Sequence, residues 1–267
     1  MSLRSQAGQL RAGLLGSFYR RTARLGNKGP VVSFTFDDFP RTALTVAAPI
    51  LEGFGARGTY YVAPGLMNTT GELGELCSEA DLQTLRARGH EIGSHTFTHS
   101  SCRSIALRDF HGDVTRGMTA LRELTGSDAP DFAYPYGELS LRSKKALSSS
   151  VRSARSILPG INGPEIELNL LRANSIYGDA DAAPALCRLI AENVRRHGWL
   201  IFYTHDVQAK PSPYGCTPEL FEHIVSTAAG SGARLLPVGE VLSDLWVKAF
   251  REEELAPRTR TAIGSKG

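Results

Sequence analysis

What this sequence has little of narrows it first. Only four cysteines occur in 267 residues, Cys77, Cys102, Cys187 and Cys216. None stands in a CxxC pair, which excludes a zinc knuckle and a dithiol redox centre. Up to two disulfides are possible, but the scattered placement favours a reducing compartment. No apolar run approaches the roughly 20 residues that cross a bilayer. The N-terminus lacks the uninterrupted apolar core of a signal peptide, because Leu14-Leu15-Gly16-Ser17-Phe18 is short and flanked by arginines. Charge of one sign is also scarce. The net +3 comes largely from Arg4, Arg11, Arg20, Arg21, Arg24 and Lys28 near the start and from Arg258 and Arg260 in the tail. A nearly balanced middle argues against a nucleic-acid surface. The expected location is cytoplasmic or peripheral membrane; 11–25 reads first as a surface helix or loose leader and, as the alternative, as a basic amphipathic helix that touches anionic membrane; export stays open if the sequence is part of a longer one. Nothing in the sequence speaks to oligomeric state.

An apolar content of 42% and a charged content of 21% describe an ordinary globular chain. After a basic segment, 1–29, strand-like and helix-like stretches alternate. Val31–Phe36 reads as a buried strand, 42–54 as a helix, and 56–62 as the next strand. A helix at 78–87 leads to a short strand at 90–94, and the periodicity of Phe110, Val114, Met118, Leu121 and Leu124 predicts a helix over 107–124. Strands follow at 131–134 and 151–156, with a helix at 140–149 between them and an apolar segment at 168–176 after them. A helix over 182–197 leads to Trp199–Tyr203, the most strand-like run of all, and then to a helix from Thr217 to Ala229. Ala233–Leu236 and 238–250 read as a last strand and a last helix. This alternation predicts an α/β protein, a distorted (β/α) barrel with about seven strands, within one domain over 30–250 and a polar tail over 251–267.

Asp37, Asp38, His95, His99, Tyr136 and His205 all fall just past the C-terminal ends of these strands, the mouth where such barrels carry their chemistry. His95 and His99 are four apart, which on a helical turn puts them on one face. With Asp38 they make a two-nitrogen, one-oxygen set that suits a divalent metal, Zn²⁺ foremost, with Co²⁺, Ni²⁺ and Fe²⁺ also compatible. A bound metal acidifies water and polarises a carbonyl, the two requirements of amide or ester hydrolysis. Adjacent side chains after a strand diverge, so Asp37 is free to move a proton while Asp38 binds. His205 is a candidate acid for the leaving group, and a backbone N–H in Pro135-Tyr136-Gly137 a candidate oxyanion donor. His90, His111, His197 and His223 read as structural or surface residues, and Glu91 lies at the wrong end of its strand. One ring of Tyr60-Tyr61 belongs to the core and the other is free to line a pocket.

With these residues in hand, the sequence resembles the polysaccharide deacetylase family, the nodulation-protein-B homology domain. The resemblance rests on Thr35-Phe36-Asp37-Asp38, Ser94-His95-Thr96-Phe97-Thr98-His99, Phe132-Ala133-Tyr134-Pro135-Tyr136-Gly137 and Leu200-Ile201-Phe202-Tyr203-Thr204-His205-Asp206, in family order over about 30–240. It implies a metal-dependent enzyme, usually zinc, that removes N-acetyl or O-acetyl groups from saccharides, with Asp37 as base, Asp38, His95 and His99 as metal ligands, His205 as acid and the Tyr136 N–H at the oxyanion. The substrate would be an acetylated saccharide or a related small amide. Other readings are hydrolysis of a cyclic imide or formamide on the same fold, and an inactive sugar-binding protein. Three positions depart from the family. Its third-motif arginine, which holds the base, is Ala133 here, and Arg172 is expected to take its place. The aspartate that orients the acid histidine has no counterpart beyond the neutral Asn174. Tyr203 stands where a leucine usually helps form the acetyl pocket.

Overall fold

The computed structural model describes residues 16–25 and 29–243. In chain order the strands are β1 (Thr22–Arg24), β2 (Val31–Asp37), β3 (Thr59–Val62), β4 (Thr70–Gly71), β5 (Gly74–Glu75), β6 (Glu91–Ser94), β7 (Asp131–Ala133), β8 (Ser153–Arg155), β9 (Glu165–Glu167), β10 (Asn174–Ser175), β11 (Trp199–Thr204) and β12 (Arg234–Leu235). The α-helices are α1 (Ala48–Gly53), α2 (Glu79–Ala87), α3 (Leu107–Thr125), α4 (Leu141–Leu147), α5 (Ala183–Arg196), α6 (Pro218–Gly230) and α7 (Val238–Ser243).

Seven strands form a parallel sheet in the order β10-β11-β2-β3-β6-β7-β8, and β12 pairs with the first residues of β2. The chain after β9 runs along the free edge of β8, where Leu171 N–H donates to Ala154 C=O at 2.9 Å, and then reaches β11 as β10. One segment therefore touches both ends of the sheet, and the result is the distorted α/β barrel expected from the alternation.

The centre of the sheet follows from β2, all seven of whose residues are buried. A strand covered on both faces needs apolar or internally satisfied side chains on both. On the outer face Val32, Phe34 and Phe36 meet the helical layer, with Phe34 against Phe202 at 5.8 Å and Phe36 against Tyr60 at 4.5 Å between ring centroids. Each such ring, fully buried, contributes about 1.5–3 kcal/mol. On the inner face Val31 packs with Trp199, Ile201 and Tyr203, and α7 closes the bottom of the barrel with Val238, Val241 and Leu242. The Trp199 indole donates to Ser33 Oγ at 2.9 Å, so the indole N–H buried in this layer is paired.

Several local expectations change. The stretch read as a basic helix over 11–25 contains a strand, β1, paired antiparallel with β9. Arg21 donates to the carbonyls of Ser148, Val151 and Arg152, and Asn169 Nδ2 to Tyr19 C=O at 3.0 Å, so residues 19–24 are fastened to the barrel. The helix predicted over 42–54 opens with a π-helical turn, Ala43–Ala47, before α1. The last helix is described to Ser243, and the rest of the stretch to 250, the tail over 251–267 and residues 1–15 lie outside the described residues. All four cysteines are free.

Candidate active site and metal centre

The period of two along β2 and β11 assembles the centre of the mouth. Val31, Ser33, Thr35 and Asp37 share the inner face of β2, and Thr35 stands opposite Tyr203 in the ladder. Tyr203 and, two residues on, His205 therefore emerge beside Asp37. Immediately after β2 the backbone turns left-handed at Asp38 (φ 60°) and Phe39 (φ 51°). Such conformations cost a non-glycine residue on the order of 1 kcal/mol each and persist only when surroundings impose them. Here Phe39 is fully buried and its carbonyl accepts from Cys77 N–H at 3.0 Å, while the Asp38 carboxylate swings toward the histidines.

His95 and His99 do not lie on a helical turn. β6 ends at Ser94, and the loop carries left-handed residues at Thr96 (φ 64°) and His99 (φ 58°), which fold the two imidazoles toward each other with ring centroids 4.9 Å apart. Helix α3 lies against this loop. A Cβ on Gly117 would stand 2.6 Å from the Thr96 carbonyl, so only glycine permits the approach. His95 is further fixed by Nδ1, which sits 2.8 Å from the Ala133 carbonyl. A carbonyl only accepts, so Nδ1 carries the proton and Nε2 presents its lone pair to the mouth.

Asp38, His95 and His99 offer donor atoms that all lie within 4.8 Å of one another. His99 Nε2 is 3.2 Å and His95 Nε2 3.7 Å from Asp38 Oδ1. That oxygen is buried without a hydrogen-bond partner among the described residues. Burial lowers the His95 imidazole to about 3, helped by His99, and burial also lowers His99. Both rings are thus neutral at pH 7. Burial, with the Asp37 charge against the opposing His205, raises the Asp38 carboxyl to about 6. A partnerless carboxylate facing two neutral imidazoles is the environment of a cation, and the donor set fits a divalent ion of the zinc type.

Asp37 is held differently. Burial alone would raise its carboxyl, but Arg155 first, then His95 and His205, more than offset this and keep it below the usual carboxylate range. Arg155 Nη2 donates to Asp37 Oδ1, both groups are buried, and the guanidinium lies 5.1 Å from the ring centroids of Tyr61 and of Tyr203. The expectation for Arg172 is therefore corrected. Its neighbours Leu171 and Ala173 are buried, so the pleat turns Arg172 outward, where Nη1 donates to Pro159 C=O at 2.9 Å. Arg155 is the ladder partner of Ala133. The guanidinium missing from β7 is thus supplied by the adjacent strand at the same level. An arginine between Ala154 and Ser156 in a short strand was the available signal, since a buried guanidinium requires a carboxylate.

The other departures have local answers. His205 Nδ1 lies 3.1 Å from the Tyr214 carbonyl, which orients the ring in place of an aspartate, and Nε2 is 3.9 Å from Asp38 Oδ2. Asn174 is committed to Gly160, accepting from its N–H at 3.0 Å and donating to its carbonyl at 2.9 Å. Tyr136 has a left-handed backbone (φ 58°) and an exposed ring whose centroid is 4.5 Å from that of His99. Both Tyr60 and Tyr61 are buried, the second beneath Arg155. His90 is structural: Nδ1 accepts from Gly58 N–H at 3.0 Å and Nε2 faces Glu52 at 2.9 Å. The mouth opens as a cleft of about 530 Å³ that brings together Asp37, Asp38, His95, His99, Tyr136 and His205, walled by Ile157, Tyr177, Tyr203 and Tyr214 and by Glu72 and Leu73 from the β4–β5 hairpin.

Residues 25–150 match the family model for polysaccharide deacetylase. A chitin deacetylase from Colletotrichum lindemuthianum is 23% identical over 226 residues, covering 82% of this chain and 83% of that protein. Among solved structures, a family 4 acetyl xylan esterase from Clostridium thermocellum, in complex with a cobalt ion, superposes with a TM-score of 0.54 at 21% identity, covering 80% of this chain and 90% of the other. A mutant of the peptidoglycan deacetylase from Bacillus subtilis does so with a TM-score of 0.51 at 15% identity, covering 82% and 93%. These structures share the fold of the barrel just described, and the matched segment contains β2 with its two aspartates and the paired histidines that follow β6. Residues 25–150 are thus similar to the polysaccharide deacetylase family, and the barrel as a whole has the fold of these solved structures.

Proposed function

We propose that the barrel of residues 30–250 is a metal-dependent hydrolase that removes the N-acetyl group, or an O-acetyl group, from a saccharide. The observation that carries this reading is the partnerless Asp38 Oδ1 facing two neutral imidazoles, beside a second carboxylate that a buried arginine keeps ionised. Asp38, His95 and His99 would hold the ion, with Zn²⁺ the first choice and Co²⁺, Ni²⁺ or Fe²⁺ alternatives. Bound there, such an ion supplies Lewis acidity toward water and the acetyl carbonyl.

The chain's own groups do the rest. Asp37 takes the proton of the attacking water, a task for which an ionised, immobilised carboxylate suits it. The Tyr136 N–H, in a turn whose preceding residue is a proline without an N–H, donates to the oxygen that gains charge. His205, with Nδ1–H engaged by the Tyr214 carbonyl, delivers a proton from Nε2 to the departing amine or alcohol. Tyrosine rings along a cleft open to solvent suit the faces of pyranose rings.

The test is release of acetate by zinc-loaded protein from a panel of N-acetylated glucosamine oligomers, acetylated xylan and simple formamides and cyclic imides. Acetate from the saccharides supports the reading. Turnover restricted to imides or formamides replaces the substrate while retaining the site. No turnover, with saccharide binding intact after His205→Ala, leaves a sugar-binding protein.

A further inference from the structure

The mouth of the barrel contains one charged group that the chemistry above does not use. Glu72 and Leu73 form the two-residue turn of the β4–β5 hairpin and line the cleft. Glu72 is exposed and has neither a hydrogen bond nor an ion pair among the described residues. Its hairpin is anchored beside the site: Leu76 bridges to Pro40, Cys77 N–H donates to Phe39 C=O at 3.0 Å, and Arg41 braces the base of the hairpin through Glu75 at 3.2 Å and Asp81 at 3.3 Å. The carboxylate is thus carried by the same few residues that follow Asp38. Among the described residues no lysine or arginine lines the cleft, and Arg155 is buried and committed to Asp37. Away from the candidate metal centre and His205, a substrate entering from solvent therefore meets one unpaired carboxylate and no lysine or arginine among the described residues that line the cleft.

We propose that Glu72 is a specificity-determining residue that selects saccharides carrying an ammonium group on a sugar beside the one being deacetylated. This rests on the deacetylase reading, and it follows from the chemistry of that reaction. Hydrolysis of an N-acetyl group leaves a primary amine that is less basic than a lysine because of the neighbouring ring oxygens, and that is partly protonated at neutral pH and increasingly so as pH falls. The product of one turnover on an oligomer is a chain whose neighbouring residue is partly cationic, and Glu72 favours its return over an untouched chain. Anionic saccharides are disfavoured by the same charge.

The experiment compares kcat/KM of zinc-loaded wild type and Glu72→Gln on two tetramers of glucosamine, one fully N-acetylated and one with two of its four amines free. In wild type the partly deacetylated tetramer is preferred, and the preference weakens as salt is raised. Glu72→Gln lowers the ratio of the two kcat/KM values about threefold to fivefold, the scale of one exposed charge pair, chiefly through KM. A ratio unchanged in Glu72→Gln overturns the proposal. If wild type releases no acetate from either tetramer, the deacetylase reading fails on its own, and binding of the fully deacetylated tetramer decides the role of Glu72. Weaker binding to Glu72→Gln than to wild type supports it, and equal binding overturns it.

Discussion

At the scale of single residues, the proposed base, Asp37, and its support, Arg155, are the groups whose removal has the most distinct signatures. Asp37→Asn removes the proton acceptor and leaves Asp38, His95 and His99 in place. It is expected to lower kcat by about 10²–10⁴-fold while the protein still binds one equivalent of zinc, as measured by elemental analysis after gel filtration. Arg155→Met has two effects. It leaves a buried carboxylate unpaired, at a cost of about 3–5 kcal/mol in denaturant unfolding at neutral pH. It also removes the first of the charges that hold the Asp37 carboxyl down. A depressed carboxyl contributes stability above its unfolded value and loses it as pH falls through the folded one. With Arg155 gone the folded value rises, so the acid limb of kcat/KM against pH is expected to move upward. An acid limb that stays in place would assign Asp37 another job. Asp37, Asp38 and the histidines were legible in the sequence because adjacent carboxylates after a strand and imidazoles four apart are local patterns. Arg155 was not, since its partner stands 118 residues away and only the ladder alignment with Ala133 reveals it.

Among the elements, α3 and the histidine loop form one unit. Gly117→Ala places a methyl against the Thr96 and Phe97 backbone, where neither side yields easily. A loss of about 1–3 kcal/mol is expected, together with weaker zinc affinity by competition titration, because the displaced loop carries both imidazoles. A second junction joins α1, the end of α2 and the start of β6. There Glu52 meets Arg88 Nε at 2.7 Å and His90 Nε2 at 2.9 Å. Arg88 first, then His90, against some burial, hold the Glu52 carboxyl at about 2. Its contribution is present above the ordinary glutamate value of 4.5 and fades as pH falls toward about 2. Glu52→Gln is therefore expected to lose stability relative to wild type at pH 6 and to converge with it near pH 2, read from urea unfolding at both. The periodic helices α3 and α5 were readable because long apolar stripes repeat. The π-turn before α1 and the non-helical His95–His99 loop were not, since a spacing of four is equally satisfied by a loop bent at two left-handed residues.

For the molecule as a whole, the bound ion and the fold are expected to be linked. Asp38, His95 and His99 come from two separate strand ends, so an unfolded chain cannot present them together. Zinc at about 1,000 times its Kd stabilises the fold by about 4 kcal/mol. Its removal by a chelator should abolish turnover and lower the Tm, with recovery of both on adding Zn²⁺ or Co²⁺. His95→Ala should show little metal-dependent change in Tm. The barrel itself was readable from the alternation of strands and helices. Its closure was not, because the segment between β9 and β10 meets β8 through a single bridge at Leu171 and joins β11 only by the two-residue β10.

Strand β2 is the first long strand of the chain, yet β11, its partner on one edge, begins at Trp199, and β12, which pairs with its first residues, at Arg234. During synthesis Val31-Val32-Ser33-Phe34-Thr35-Phe36 must therefore wait, with one edge unpaired and aromatic side chains on its outer face, until most of the barrel has been made. Such a distant pairing slows folding, and an open apolar edge invites pairing with other chains. A chain cut before Trp199 is expected to sediment as aggregate while the longer chain stays in solution. The strand that leads to the candidate base and metal ligand, Asp37 and Asp38, is thus also a segment in need of protection by chaperones before the barrel closes.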